Sequence, residues 1–484
     1  MTAVPNEEAE LKLELATDSA DRLEKSGLLK GDPIVVPQHA IYFDTPDHDL
    51  ASEGLSLRIR REGEKRVQTV KADGSAAGMF IRPEWERSVT TDEPVIDHAT
   101  PIPALLGKKT AAIAPMFTVE NERHLWLQDG IEIALDRGRI LAAEREMPIC
   151  EVELELKRGH AAALFALARR IDEIVPVRIG VSSKAERGYR LLGPAPSAFK
   201  AERVKLGKDQ TAASAFQTVA TACLRHFRLN EPLVLDHRDE AALHQLRVAI
   251  RRLRSALTLF KPLFDEKARR RFNDELRWLA TELGKARDLD VLAGQVESGP
   301  LLDRILSARD DAYDGAIAAL DSLHARRLML NLAEWIAVGA WLSNAETQDI
   351  RETPAREFAT GVLERFRRKV KKGGRRMEKL DDHARHEVRK TAKKMRYATD
   401  FFAGLFPDKR ERRRRKRFIS ALEELQDGLG ALNDLVGAPE LLAKLGLEGS
   451  PQAAGIVAGD RKAGLLESAA EAYDAFVDAK RFWR

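Results

Sequence analysis

A chain of 484 residues, 44% hydrophobic and 32% charged, is too long for one hydrophobic core and suits a soluble protein of two or three globular domains. Its two cysteines, Cys150 and Cys223, exclude a disulfide framework and point to a reducing compartment. The opening "MTAVPNEEAE" lacks the apolar core of a signal peptide, and no run of about 18 apolar residues could span a membrane. A cytoplasmic location without a membrane partner is therefore expected. The net charge of +4 conceals an asymmetry: residues 1–200 carry 27 Lys and Arg against 33 Asp and Glu, and residues 201–484 carry 53 against 43. A basic half is either a set of solvated Arg-rich helices or the electrostatic footprint of a polyanion.

In chain order, "EAELKLEL" at 8–15 alternates with the period of two that defines a strand. Ala9, Leu11, Leu13 and Leu15 take one face; Glu8, Glu10, Lys12 and Glu14 take the other. Seven further strand-like segments follow up to about residue 157: "HAIYFDT", "LSLRIRR", "RVQTVKA", "MFIRPEWERSV", "FTVENERHLWL", "GIEIALDRG" and "PICEVELELK". Turn residues such as "PDHD" and "ADGSAAG" separate them. Eight strands predict a closed antiparallel barrel or a large antiparallel sheet. Helical patterns fall at about 17–29 and 160–174, "GPAPSAFKAE" at 193–202 reads as a linker, and from about 209 the pattern is helical throughout. The fold class expected is a multidomain α+β protein with a β-barrel domain and an all-α domain.

The strands share a feature. Arg58 and Arg60 face one way in "LSLRIRR", and Glu151, Glu153 and Glu155 face one way in "PICEVELELK", with apolar residues opposite. Lys71, Arg82, Glu84, Glu86, Arg123, Glu132 and Asp136 extend the pattern. A solvated exterior over an apolar-filled barrel would also alternate, but it would mix the two signs along each strand. Carboxylates grouped on some strands and guanidiniums on others suggest a charged interior instead. Paired carboxylates suit hard divalent cations such as Mg²⁺, and Arg and Lys suit phosphate oxygens. No Ser/His or Cys/His pair is convincingly placed.

Glu8, Glu10 and Lys12, followed by "YFDTPDHDLASEGLSLRIRREG", "TVK", the "RPE" step, "IEIALDRG", "PICEVELEL" and "SSKAERGYRL", resemble in order the CYTH domains, the triphosphate tunnel metalloenzymes. The resemblance spans residues 7–193. It implies an eight-stranded antiparallel barrel whose tunnel binds triphosphate and a divalent metal, Mg²⁺ or Mn²⁺. By position it implies metal-binding roles for Glu8 and Glu10, for Asp136, and for Glu151 and Glu153, with Glu155 on the same face leaving the register open. Lys12, Arg58, Arg60, Lys71, Arg123 and Lys184 match the catalytic positions that hold the phosphates, and Arg82 matches more weakly. The bacterial inorganic triphosphatases of the family are the most similar, while adenylate cyclases and nucleoside or thiamine triphosphatases share the signature.

The helical half repeats itself. "HQLRVAIRRLR" at 244–254 and "HEVRKTAKKMR" at 386–396 align without gaps. His244, Arg247, Arg251 and Arg254 fall within an arc of roughly 80°, as do His386, Arg389, Lys393 and Arg396. "ELGKARDLDVL" at 282–292 pairs with "GLGALNDLVGA" at 428–438, with Asp288 and Asp434 in register. This half resembles the CHAD domain, which implies two similar helical bundles about a pseudo-twofold axis and polyphosphate binding by the two stripes. Carboxylates at ligand spacing are missing, which disfavours a metal there. Aromatic residues for base stacking are sparse, which disfavours nucleic acid. The run "ERRRRKR" at 411–417 reads as a solvated or flexible segment. The expected division is a tunnel domain at 1–193, a linker at 194–208 and a helical domain at 209–484 with halves near 209–345 and 346–484. The expected function is a metal-dependent inorganic triphosphatase with a polyphosphate-binding helical domain. The rivals are another triphosphate-using CYTH enzyme and a polyphosphate-binding protein without turnover.

Overall fold

The computed structural model describes residues 9–72, 84–444, 446 and 462–484, with 433–441 and 444 described by backbone alone. Among these, the alternating segments form nine strands: β1 (Glu10–Leu15), β2 (Ile34–Asp44), β3 (Leu55–Glu62), β4 (Lys65–Ala72), β5 (Glu84–Ser88), β6 (Ala114–Gln128), β7 (Ile131–Ala142), β8 (Arg145–Leu156) and β9 (Val177–Ile179). All pair antiparallel in the order β5-β4-β3-β2-β6-β7-β8-β1-β9. This corrects the expectation of a closed eight-stranded barrel. Among the described residues β5 and β9 each have one neighbour, so the sheet is not closed by hydrogen bonds. The ninth strand is three residues long, too short for alternation to be seen. Of "MFIRPEWERSV", Glu84–Ser88 form the strand, and residues 79–83, including Arg82, lie outside the described part.

Helices cover the apolar side of the sheet. The pattern at 17–29 resolves into a 3-10 turn and α1 (Ala20–Glu24). α2 (Asp49–Ser52) and α3 (Ile102–Leu106) roof the cluster of Phe43, Leu55, Leu57, Ile59 and Val70. α4 (Ala162–Ile174) packs against β1, β8 and β9, where Leu11, Leu13, Val152 and Leu154 are fully buried beside Leu164 and Ala168. α5 (Lys184–Leu192) opens with a capping box: Ser183 Oγ accepts from the Glu186 amide at 3.1 Å, and Glu186 Oε2 accepts from the Ser183 amide at 2.8 Å. A Cβ at Gly188 would lie 2.1 Å from the Phe117 ring, so only glycine lets α5 approach β6 here. The apolar faces of the strands thus point outward under helices. The charged faces point inward.

The rest is helical: α6 (Ala212–His237), α7 (Glu240–Leu259), α8 (Glu266–Ala293), α9 (Pro300–Asp321), α10 (Leu323–Val338), α11 (Gln348–Glu352), α12 (Ala355–Gly373), α13 (Asp382–Phe401), α14 (Lys409–Lys444) and a C-terminal helix Lys462–Asp478. The repeat is visible in the caps. Asp239 accepts from the Ala242 amide and Asp381 from the Ala384 amide, each five residues before its histidine. The run 411–417 is helical, not flexible: it lies in the first turns of α14, where Arg414 donates to the Arg484 carbonyl at 2.6 Å and Glu411 pairs with Arg356 at 2.6 Å. No helix of the described residues is long and apolar enough to cross a membrane.

Contacts divide the chain into two compact units. One comprises Met1–Phe199 with Arg228–Leu233 and Asp321–Gly339; the other comprises Lys200–Phe227, Val234–Leu320 and Ala340–Arg484. In the first, α10 packs on α4 and β9. The buried Asp172 of α4 accepts from Arg326 at 2.6 Å and from the Val177 amide at 3.1 Å, Arg327 reaches Glu173 at 2.7 Å, and Arg169 reaches Glu334 at 2.7 Å. A cut at the expected linker would strip this helix from α4. Removing one partner of a buried pair strands the other charge, so Asp172→Ala should destabilise the full chain by about 3 kcal/mol or more. Thermal or denaturant unfolding checks this, and an unchanged midpoint would show that α10 is not anchored through Asp172.

Candidate functional site

The inward faces of the strands surround one cavity of about 570 Å³. Strand register arranges the acidic side of it in three rows. β1, β8 and β7 place Glu10, Glu155 and Glu132 in line, then Lys12, Glu153 and Ala134, then Glu14, Glu151 and Asp136. The rows run from rim to floor: Glu132 is 37% exposed, whereas Glu151 and Asp136 are fully buried. Asp136, Glu151 and Glu153 can bring one oxygen each within 4.8 Å of one another, the geometry of a metal-holding group. Glu155 stands a row outward with Glu10, so the structure separates the register that alternation alone leaves open. Glu8 lies outside the described residues.

The opposite side is basic. Arg58 and Arg60 of β3 and Lys71 of β4 line the cavity, with Arg123 of β6 joining the two sides. Arg123 grips Asp136 with two bonds, at 2.7 and 2.6 Å, and reaches Glu153 at 2.5 Å. Lys71 pairs with Glu84 at 2.8 Å, and Arg60 with Glu62 at 2.9 Å. Arg58 stands opposite Tyr42, and its Nε is buried without a partner among the described residues.

Lys184 sits at the first turn of α5, which turns it into the acidic side. Its Nζ lies 2.6 Å from Asp136, 2.5 Å from Glu151 and 3.5 Å from Glu153. Lys12 reaches Glu151 at 3.2 Å and Glu153 at 2.9 Å. Arg187, one helical turn beyond Lys184, closes on the second oxygen of Glu151. Sequence reading missed Arg187, although its i+3 spacing from Lys184 within "SSKAERGY" was a usable signal. It also missed Tyr42, Gln38 and Asn121, which line the cavity from strands whose apolar neighbours gave no cue.

These pairings fix protonation. Burial alone would raise the Glu151 carboxyl, but Arg187, Lys12 and Lys184 outweigh it and hold it well below the usual range. Burial likewise opposes ionisation of Glu153, and Lys12, Lys184 and Arg123 overcome it. The same carboxylates hold Lys12 and Lys184 above their ordinary values against burial. Glu10 differs: burial, with help from Glu153, pushes it up. Glu151 and Glu153 are therefore anionic and cation-paired, while the outer Glu10 is the weaker acid.

In the other unit, the two predicted stripes lie on α7 and α13, which pack on each other. Arg247 donates to the Ala280 carbonyl at 2.9 Å and lies 3.8 Å from Asp288. A Cβ on Gly284 would meet its Nη1 at 2.4 Å, and a Cβ on Gly430 would meet Arg389 Nη2 at 3.5 Å. The first arginine of each stripe therefore lies over the glycine of its partner motif, at equivalent places in the repeat. Arg251 and Lys393 are half-buried, and Arg254 bonds Asn273 at 3.2 Å. Arg396 lies 3.9 Å from Glu423. His386 is exposed, and burial together with Arg287, Arg251 and Arg247 pushes the half-buried His244 down. The side chain of Asp434 lies outside the described part.

Comparison with known proteins agrees with both halves. The family model for the CYTH domain matches residues 6–189, and that for the CHAD domain matches residues 218–443. An inorganic triphosphatase of Haemophilus influenzae is 35% identical over 162 residues, 31% of this chain and 44% of that protein, so the match spans less than half the relative's length. An uncharacterized protein of Mycobacterium tuberculosis is 27% identical over 399 residues, 74% of each chain. A CHAD domain structure from the plant Ricinus communis is 30% identical and covers 59% of this chain and 97% of its own, with a TM-score of 0.48. The chain belongs to the proteins that join an N-terminal CYTH domain to a C-terminal CHAD domain.

Proposed function

We propose that this chain is a cytoplasmic, metal-dependent inorganic triphosphatase that hydrolyses triphosphate to diphosphate and phosphate in its CYTH cavity, and that its CHAD domain binds polyphosphate. In this reading residues 1–193 form the tunnel domain, 194–208 the linker, and 209–484 the helical domain with halves near 209–345 and 346–484. The observation that carries the catalytic reading is the concentration of both charges around one cavity: Glu10 and Lys12 on β1 with the carboxylates of β7 and β8 on one side, and Arg58, Arg60, Lys71 and Arg123 of β3, β4 and β6 on the other, with Glu84 and Glu86 of β5 beside them. The triphosphatase relative supports the substrate class.

The hard oxygen donors of Asp136, Glu151 and Glu153, with Glu10 one row outward, fit a small divalent cation such as Mg²⁺ or Mn²⁺. When bound, such an ion supplies charge neutralisation on phosphate oxygens and a more acidic water. The chain's own residues bind and orient. Arg58, Arg60 and Arg123 offer guanidinium forks and Lys71 a point charge to the phosphates. Lys12 and Lys184 hold the carboxylates ionised and stand ready to face charge on the transferred phosphoryl group. The aromatic rings lining the described cavity are already engaged: Tyr42 stacks on Phe117 at 4.7 Å, and Tyr189 meets Phe117 edge-on at 5.2 Å. That favours a ligand recognised by charge over one recognised by base stacking. Intact carboxylate rows argue against a cavity that binds without turnover.

Glu153→Gln keeps the side chain's shape and removes a metal-facing charge, so turnover of triphosphate by the folded variant should fall about a hundredfold or more, and its melting temperature should fall as well because Lys12 and Arg123 lose a buried partner. Near-normal turnover under limiting metal would contradict the acidic assignment. Arg58→Ala should instead raise KM for triphosphate, by the roughly 1.5–3 kcal/mol of a charge-assisted hydrogen bond. Mn²⁺ affinity without substrate should hold or tighten in that variant; its collapse would mean that the basic side organises the carboxylates.

For the helical half, binding of long polyphosphate by the full chain should weaken linearly in log–log against salt, as a polyanion releases counterions. Arg247→Glu with Arg251→Glu should cost more affinity than Arg413→Glu with Lys416→Glu, two exposed positions of α14. Equal losses would reduce the stripes to generic electrostatics.

A further inference from the structure

Beneath the third row lies a second layer of charge, reached through Glu14 and built on Arg178, Arg228 and Glu231. Glu14 closes that row, opposite Glu151 on β8 and Arg178 on β9. Arg228 of α6 meets it from below: Nη2 is 3.2 Å from Glu14 Oε2, Nε donates to the Ile179 carbonyl at 2.8 Å, and the side chain is 2% exposed. Arg228 also touches Glu231, which Arg178 approaches at 3.5 Å while reaching Asp321 at 2.6 Å. Between this layer and the cavity stands Arg187, bonded to Glu151 and attracted by Glu14 as well. The packing is tight: a Cβ on Gly180 would lie 2.6 Å from Lys12 Cγ and 3.4 Å from Glu14 Cγ.

A guanidinium this deep opposes folding unless it is paired. Burial pushes Arg228 down to about 10, with Glu14 opposing the shift. Charge therefore alternates from the helix to the cavity: Arg228, Glu14, Arg187, Glu151, then Lys184 and Lys12. Without Arg228, Glu14 and Glu231 both lose a buried partner: Arg178 remains beside Glu231 and Asp321, and the attraction left to Glu14 is that of Arg187. Arg187 then divides between Glu14 and Glu151, and the floor of the cavity gains a negative charge.

We propose that Arg228 is a positioning residue for the carboxylate site: by neutralising Glu14 it keeps Arg187 committed to Glu151 and keeps surplus negative charge away from the incoming phosphates. The substrate side of this rests on the triphosphatase reading; the metal side rests on the charge geometry alone. In the full chain, Arg228→Met should raise KM for triphosphate about tenfold with a smaller change in kcat, and should bind Mn²⁺ without substrate as tightly as the unaltered chain or more so. Adding Glu14→Gln removes both charges and should return KM to within about twofold of the unaltered chain, whether or not the melting temperature recovers. A purely structural role predicts no such rescue.

Unchanged KM in Arg228→Met, weaker Mn²⁺ binding, or a double variant no better than the single would each overturn the proposal. Should Arg228→Met fail to fold, Glu14→Gln alone decides: KM should hold or fall, and a tenfold rise overturns the proposal. If the unaltered chain does not hydrolyse triphosphate, the triphosphatase reading fails, and the Mn²⁺ titrations decide this inference separately.

Discussion

The CYTH half depends on one electrostatic constraint: charges buried inside a β-sheet must be paired with each other. Glu151 and Asp136 have no solvent access, and Lys12, Lys184 and Arg187 are nearly as deep. Any one of them alone would be neutralised or would oppose folding. Together they form a lattice in which each carboxylate touches at least one cation. The lattice also explains why the sheet is built inside-out, with its apolar faces outward under α1 to α4. A conventional apolar interior would leave no place for the charges. In the proposed function the cations now paired with carboxylates are the groups that would turn to phosphate oxygens, and the freed carboxylates are those that would hold a metal.

The CHAD half follows a different rule. Its charges are carried on helix faces and held by contacts to neighbouring helices, through side chains at Arg254 and Arg396 and through backbone at Arg247. Arg247 is held over Gly284 and the Ala280 carbonyl, and Arg389 lies over Gly430. Glycine at 284 lets Arg247 lie flat against the neighbouring helix, whereas at 430 a Cβ would make only ordinary contact with Arg389. The repeat therefore preserves the placement of an arginine over a glycine as well as a charge pattern.

Much of this was legible in the sequence because the strand period is two and the helix period is 3.6. Alternation in β1, β3 and β8 named the charged faces, and i+3 and i+4 spacing named the stripes. What stayed hidden depends on partners far along the chain. Closure of the barrel cannot be read from strand count, and β9 is too short to alternate. The register that sets Glu155 with Glu10, and Glu153 with Lys12, exists only once β1 and β8 pair. Arg187 and Arg228 lie on helices, where an arginine looks like any solvated residue until the sheet beneath it is known. The helix α10, drawn from the CHAD-matched span, belongs by its contacts to the β-rich unit, which no local pattern signals. In the run 411–417 charge density rightly indicated solvent, with Arg412, Arg413, Lys416 and Arg417 exposed, but it gave no sign that the segment is helix.

A cavity lined as this one is should recognise a triphosphate by charge alone. Phosphate release by the full chain, with Mg²⁺ or Mn²⁺, from inorganic triphosphate, ATP, thiamine triphosphate and long polyphosphate tests it directly. The highest kcat/KM is expected for inorganic triphosphate, with no release without metal. Preference for ATP or thiamine triphosphate would contradict it by requiring a site for the organic group, and metal-independent release would contradict the role of the carboxylate rows.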